Sequence, residues 1–430
     1  MGAGRAGEYR AYERSVRVEK LVRRSVALIK LVEFSARALL MMLCVYLLPT
    51  AEAVQFGTVM LFVGLFGFLA GFERYLDLQR RLHPLSKADA DAATVSFGRM
   101  VAVSYIVLLP LMYASLRLVG TVPSSLAVIA IVVAVVEHLS QECYRIVLVT
   151  QRNRLLLIAS AVKTLAILAA VCGIICVKSL SIESVLCWWA VIGGVWLVLI
   201  AVLVRPIVRS GLGGESIGLR MQYARSGRHF AIGLVAILAV QTDRFVAINV
   251  LGVEDLAQYF RAVMTAGVAY QILTFGSFNR IALDAYRSLK RGEHGAVRAA
   301  FRRERVAYLL VLLAVPLFTE AARRFLGIPW IEATVPTFAV VALACGSSLV
   351  RGLADFESIV LNNLHLESRI LALNALGACA TAATAAILGS AFGVCGVLSG
   401  SVTGSCVVAV AVWYSARRGL AHLRAEVRRA

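Results

Sequence analysis

Charge is what this sequence has least of. Asp, Glu, Lys and Arg make up 16% of its 430 residues, against 60% hydrophobic residues. A water-soluble domain usually carries about 25% charged residues, so a fold with a solvated surface on all sides is excluded. Other absences narrow the chemistry. The nine cysteines contain no C-x-x-C pair and all lie in apolar stretches. Cys172 and Cys176 share a helix face, but they read as small packing residues rather than a metal site. The cluster Gly211, Gly213 and Gly214 is not followed by Lys-Ser/Thr, so it is not a phosphate-binding loop. No ten-residue alternation of apolar and polar side chains recurs, which argues against a β-barrel. No paired acids, nucleophile motif or metal-ligand spacing stands out, and no catalytic residue, metal site or cofactor is expected.

What the sequence has instead is a series of apolar runs, each about 20 residues and long enough to cross a bilayer. A chain in hydrocarbon must satisfy its backbone internally, so the runs are expected to be helices. The fold class is therefore an all-α polytopic membrane protein with about twelve transmembrane helices. The expected spans are 25–48, 54–73, 99–119, 123–149, 155–177, 184–204, 229–250, 256–278, 304–322, 332–360, 368–389 and 391–414. Segment 25–48 is read as the first mature span and not as a signal peptide, being long and carrying Lys30, Glu33 and Arg37.

The net charge of +19 fits this topology better than nucleic-acid binding, because the basic residues sit between the spans. One set of loops carries Arg80, Arg81, Arg152, Arg154, Arg205, Arg209 and a run of arginines from Arg287 to Arg305, and both termini are equally basic. The opposite loops carry little beyond Arg117, Lys178, Arg261, Arg323 and Arg324. The positive-inside rule then puts both termini in the cytoplasm. Trp188, Trp189 and Trp330 fall where the outer aromatic belt belongs. The basic stretches are expected to meet anionic membrane lipids, and the N-terminal one reads equally as an interfacial helix or a disordered tail.

The chain repeats itself. Leu48-Pro49-Thr50-Ala51-Glu52-Ala53-Val54-Gln55-Phe56 and Leu251-Gly252-Val253-Glu254-Asp255-Leu256-Ala257-Gln258-Tyr259 share a Leu, a turn former, an acid four residues on and Gln-aromatic. This divides the chain into a basic N-terminal segment (1–24), a six-helix lobe (25–204), a linker (205–228), a second six-helix lobe (229–414) and a basic tail (415–430). Pseudo-symmetric lobes facing each other are a common transporter plan, with the substrate site between them.

A charge in hydrocarbon costs several kcal/mol unless it faces a wet cavity or a partner, so each intramembrane charge is a candidate. Lys30, Glu33 and Arg37 share one face of span one, and Glu33 is placed to pair with Arg37. Span four carries Glu137, Gln141 and Arg145, with His138 and Glu142 beside them. Span seven carries Asp243 and Arg244, and span ten carries Arg351, Asp355 and Glu357, with Lys163 in span five. A guanidinium at Arg145 would meet a diphosphate bidentately. Asp243 is a candidate partner for Arg37 across the lobes, and Asp355 for Arg351 one turn away. Two readings stand for the whole set: walls of an anion-attracting cavity, or structural pairs that lock helices together.

The two lobes, the paired turn-acid-Gln-aromatic segments, Gln241-Thr242-Asp243-Arg244 and Ser140-Gln141-Glu142-Cys143-Tyr144-Arg145 resemble the MATE-like superfamily of multidrug, oligosaccharidyl-lipid and polysaccharide exporters. Within it the chain is most similar to bacterial surface-polysaccharide (O-antigen, capsule, exopolysaccharide) flippases. The resemblance implies a non-enzymatic flippase that moves a polyprenyl-pyrophosphate-linked oligosaccharide across the cytoplasmic membrane by alternating access. It leaves open whether H+ or Na+ drives the step, and whether other polysaccharide-assembly membrane proteins are partners. The alternatives are an ion-coupled multidrug antiporter of the same superfamily and, in a different class, a membrane-embedded polysaccharide-assembly enzyme.

Overall fold

The computed structural model describes residues 28–72, 87–150, 154–177, 180–212, 218–274, 281, 285, 288–289, 291, 293–326, 328–364 and 366–429. The expected N-terminal basic segment and the loop residues Arg80, Arg81 and Arg152 lie outside these.

Every element among the described residues is helical. α1 covers 28–47. It is followed by α2 (Thr50–Gly71), α3 (Lys87–Leu118), α4 (Ser124–Thr150), α5 (Arg154–Val177) and α6 (Ile182–Gly211). The second half holds α7 (Leu219–Val250), α8 (Val253–Leu273), α9 (His294–Phe325), the short α10 (Pro329–Thr334), α11 (Phe338–Asn363) and α12 (Glu367–Arg429). Nine of these are long and apolar enough to span a bilayer by themselves. The last is a hairpin, which with α1 and α8 completes the expected twelve.

The hairpin turns at Gly393, whose φ of 57° and ψ of −137° suit a residue without Cβ. Its limbs then run so close together that a Cβ on Gly396, Gly400 or Gly404 would strike Leu388, Ala385 or Thr381 of the other limb. Small residues at four-residue spacing let helix backbones touch, and that contact replaces the hydrophobic driving force lipid cannot supply.

Two apolar cores match the two halves. One gathers Leu40, Phe56, Val59, Ala130, Val133, Val185 and Trp189. The other gathers Tyr259, Phe260, Phe301, Tyr308, Phe356, Leu398 and Val412. The repeated sequence marks the same joint in each. Glu52 reaches the N-terminus of α6, the sixth helix of its lobe, and the Asp255 carboxylate lies against Gly393, where the sixth helix of the other lobe begins. Tyr105 and Tyr308, separated by the same number of residues as that pair, each pack against the fourth helix of their lobe, on His138 and on Gly352. The outer faces are apolar, with Ile106, Val107, Val195, Val198, Leu310 and Phe318 exposed as lipid-facing side chains are.

Some boundaries differ from the sequence expectation, each for a local reason. Span ten is not one helix: Pro336 has no amide hydrogen to donate, and the chain breaks between α10 and α11. Helix also enters the expected linker from both sides, since α6 continues past Arg205 and Arg209 to Gly211 and α7 starts at Leu219. The expected tail is a continuation of α12.

Candidate substrate-handling site

The polar residues of the first lobe converge on one carboxylate. Glu137 Oε1 accepts hydrogen bonds from Lys163 Nζ of α5 at 2.6 Å and Trp189 Nε1 of α6 at 3.0 Å. Its Oε2 meets Arg37 Nη1 of α1 at 2.8 Å. Four helices are thereby tied at one point, and two cations share one anion. Lys163 is fully enclosed and also lies over the Trp196 ring, 5.1 Å from its centroid. Arg37 keeps 29% of its side chain accessible.

The expected Glu33–Arg37 pair does not form. Glu33 instead pairs with Lys30 at 2.8 Å, and Lys30 sits over the Tyr144 ring at 4.2 Å. Nor does Arg37 meet Asp243: its acid is Glu137, within its own lobe. The physical reason is burial. Glu137 is 5% exposed, so cations of two neighbouring helices rather than bulk solvent balance its charge.

A second cluster lies along α4. Tyr105 Oη and His138 Nδ1 are 2.7 Å apart, His138 Nε2 is 3.4 Å from Glu142 Oε1, and Arg145 pairs with Glu142. Arg145 is thus already engaged by a carboxylate. The cluster packs against Gly71 at the end of α2, where a Cβ would meet Glu142, Arg145 and His138, and Gln141 lies beside Gly67.

The candidates of the second lobe form their own groups. Asp243 Oδ2 accepts from Ser401 Oγ at 2.8 Å, and Ser347 joins Ser401 and Ser405 at 2.8 and 3.2 Å. Arg244 follows on α7, its backbone N–H donating to Asp243 Oδ1 at 2.9 Å. Asp355 accepts from the Tyr270 hydroxyl and forms no ion pair with Arg351, contrary to the one-turn expectation. Glu357 pairs with Arg305 of α9. The ten candidates therefore fall into a set within the first lobe (Lys30, Glu33, Arg37, Glu137, Gln141, Arg145) and a set within the second (Asp243, Arg244, Arg351, Asp355).

Sequence reasoning missed Trp189 as a ligand of Glu137. It was expected in the aromatic belt, but it is 1% exposed, whereas its neighbour Trp188 does face outward. Their different orientation fits the roughly 100° between adjacent helix residues, a signal legible in the sequence. Tyr105 was also missed. Among the described residues no group of His, Cys, Asp and Glu is arranged to hold a metal.

The seam between the lobes is uneven. On one side α2 and α3 meet α7 at the arginine-rich end, where Phe72 stacks on Phe230 with centroids 3.8 Å apart and the Tyr223 and Ser104 hydroxyls are 3.0 Å apart. On the other side α1 meets α8 near the opposite end: Tyr46 Oη lies 2.8 Å from Thr265 Oγ1, and Arg261 Nε donates to the Val45 carbonyl at 3.2 Å. Leu28, Leu31, Ser35 and Leu39 continue the face of α1 that carries Met42 and Tyr46, and Ile272 continues the face of α8 that carries Arg261 and Thr265. Leu28, Leu31, Leu39 and Ile272 are exposed. The described α1–α8 contacts thus lie at the Tyr46–Thr265 end, and the leucines of that α1 face toward the arginine-rich end are exposed.

No family model matches the sequence, and no curated protein is significantly similar to it. Solved structures are similar in fold. The chain is a multi-pass α-helical membrane protein with the two-lobe architecture of membrane transporters. An inward-facing multidrug resistance MATE family transporter of the MOP superfamily matches with a TM-score of 0.70 at 15% identity, over 94% of this chain and 98% of that one. The lipid II flippase MurJ in an inward closed conformation matches with a TM-score of 0.63 at 11% identity, over 91% and 87%. The Vibrio cholerae MATE transporter VcmN in its bent form matches with a TM-score of 0.60 at 16% identity, over 94% and 98%. The fold of the chain is the one these exporters and this flippase share.

Proposed function

We propose that the protein is an exporter of the flippase kind, carrying a polyprenyl-pyrophosphate-linked oligosaccharide across the bacterial cytoplasmic membrane by alternating access of two lobes, residues 25–204 and 229–414. Both termini then lie on the cytoplasmic side, as the arginine-rich loops require. The observation that carries this reading is the sharing of Glu137 between Arg37 and Lys163. One carboxylate balances two cations, and the cation left accessible is a guanidinium, the group best shaped to hold a diphosphate. A multidrug antiporter for cations would need that acid unpaired. The exposed leucines of α1 beside Arg37 are compatible with a lipid tail that stays in the bilayer while its head group is carried.

Complementation tests this. In a bacterium lacking its own surface-polysaccharide flippase, the wild-type chain restores export and clears accumulated lipid-linked sugar. Arg37→Ala inserts normally but fails to restore it. Drug efflux without rescue favours the antiporter instead, and export at the normal rate by Arg37→Ala removes the cationic site from the mechanism.

A further inference from the structure

One face of α9 changes character along its length. Arg298, Arg302, Val306, Leu309, Leu313 and Leu317 follow one another at spacings of three and four residues and form one stripe. Its first two turns are basic, with Arg303 beside them, and from Val306 onward every member is an exposed aliphatic side chain. The opposite face, with Val297, Phe301, Tyr308 and Leu312, is buried in the second core. Arg305 is turned away from the stripe and held by Glu357.

At the basic end Arg298, Ala299, Arg302, Arg303 and Val306 border a shallow, open cleft of about 560 Å³ on the surface of α9. Arg303 is 3.5 Å from Glu304 but is itself 72% exposed. The apolar part of the stripe, from Val306 to Leu317, is about 16 Å long at 1.5 Å per residue. One leaflet of a bilayer has a hydrocarbon depth of about 15 Å, half of the ~30 Å core. A cationic cleft at the headgroup level, continued by an apolar track one leaflet deep, has the dimensions and polarity of a phospholipid.

We propose that the Arg298–Arg302–Arg303 cleft is a binding site for an anionic glycerophospholipid of the surrounding bilayer, with its phosphate on the guanidinium groups and its acyl chains along Val306, Leu309, Leu313 and Leu317. The occupant is a resident lipid and not the transported molecule, because the site lies on the outward face of α9, with the second core between it and the rest of its lobe. Guanidinium groups bind phosphate oxygens in pairs, and basic residues at the membrane surface favour anionic over zwitterionic headgroups.

The test is native mass spectrometry of the purified full chain in detergent, supplied with phosphatidylglycerol, cardiolipin or phosphatidylcholine. Wild type should retain the two anionic lipids and not phosphatidylcholine. Arg298→Gln/Arg302→Gln should weaken that retention by about tenfold or more. Arg323→Gln/Arg324→Gln, which removes the same charge from the other end of α9, should leave it unchanged. Equal loss in both double variants, unchanged retention in the first, equal retention of phosphatidylcholine, or displacement of the phospholipid by a polyprenyl diphosphate would each overturn the assignment.

Discussion

The Glu52 carboxylate accepts a 2.6 Å hydrogen bond from the backbone N–H of Ile182, the first residue of α6. A helix N-terminus has unsatisfied N–H groups and a partial positive charge, so an acid there serves both. Ser181 satisfies another N–H by its reciprocal bonds with Ser184. The acid closes the lobe by joining its second helix to its sixth. Glu52→Ala should therefore lower stability by about 1–2 kcal/mol, read as a lower melting temperature in detergent. Glu52→Gln should recover part of the loss. An unchanged melting temperature in the alanine variant would show the bond to be idle.

Glu137 is held more strongly, and the cost of removing it should be larger. Glu137→Ala strands Lys163, which is fully enclosed, with no anion in contact. Leaving a buried charge unpaired costs about 3–5 kcal/mol. Glu137→Leu/Lys163→Met removes both charges and should recover most of that stability without recovering export. Thermal unfolding and transport measured on the same preparations separate the two effects.

The lobe seam gives a prediction about motion. With the native cysteines replaced, Tyr46→Cys/Thr265→Cys should be bridged by a short bis-methanethiosulfonate reagent, which spans the length of the lost tyrosine ring, since the wild-type Tyr46 hydroxyl is 2.8 Å from Thr265 Oγ1. Leu31→Cys/Ile272→Cys, whose wild-type side chains are both exposed and make no described contact with each other, should not be bridged in this state. If the lobes rock, the first cross-link should halt export and reduction should restore it. Full export with the first cross-link in place would mean that this end of the seam never opens.

The turn of the last hairpin should be intolerant of substitution. Gly393→Ala places a Cβ against the Asp255 carboxylate at a backbone conformation that L-residues rarely adopt. The expected cost is about 1–3 kcal/mol. Gly64→Ala, where a Cβ would meet nothing, should cost almost nothing and serves as the control. Equal melting temperatures for the two variants would contradict the close approach.

Much of this architecture is written in the sequence. Hydropathy marks the spans because hydrocarbon imposes a minimum helix length, and the Leu48 and Leu251 segments reveal the repeat because each carries an acid that lies at the start of a sixth helix. Pairing of charges was less legible. Spacing of four residues suggested Glu33 with Arg37 and Asp355 with Arg351, which is arithmetic along one helix. The structure resolves both across helices, through Glu137 and Tyr270, because which helices meet is a property of the whole bundle. The same limit hid Trp189. Its sequence position near a helix start suits an interfacial residue, and nothing local reveals that a carboxylate 52 residues earlier waits for its N–H.

The glycine stripe of α12 has a mechanical consequence. Limbs that touch along their backbones cannot slide or splay without losing that contact, so the fifth and sixth helices of the second lobe travel as a single stiff lever. A change in the shape of that lobe then has to be taken up by the helices packed around the pair. Asp243 accepts a hydrogen bond from Ser401 on that lever, which ties α7 to it.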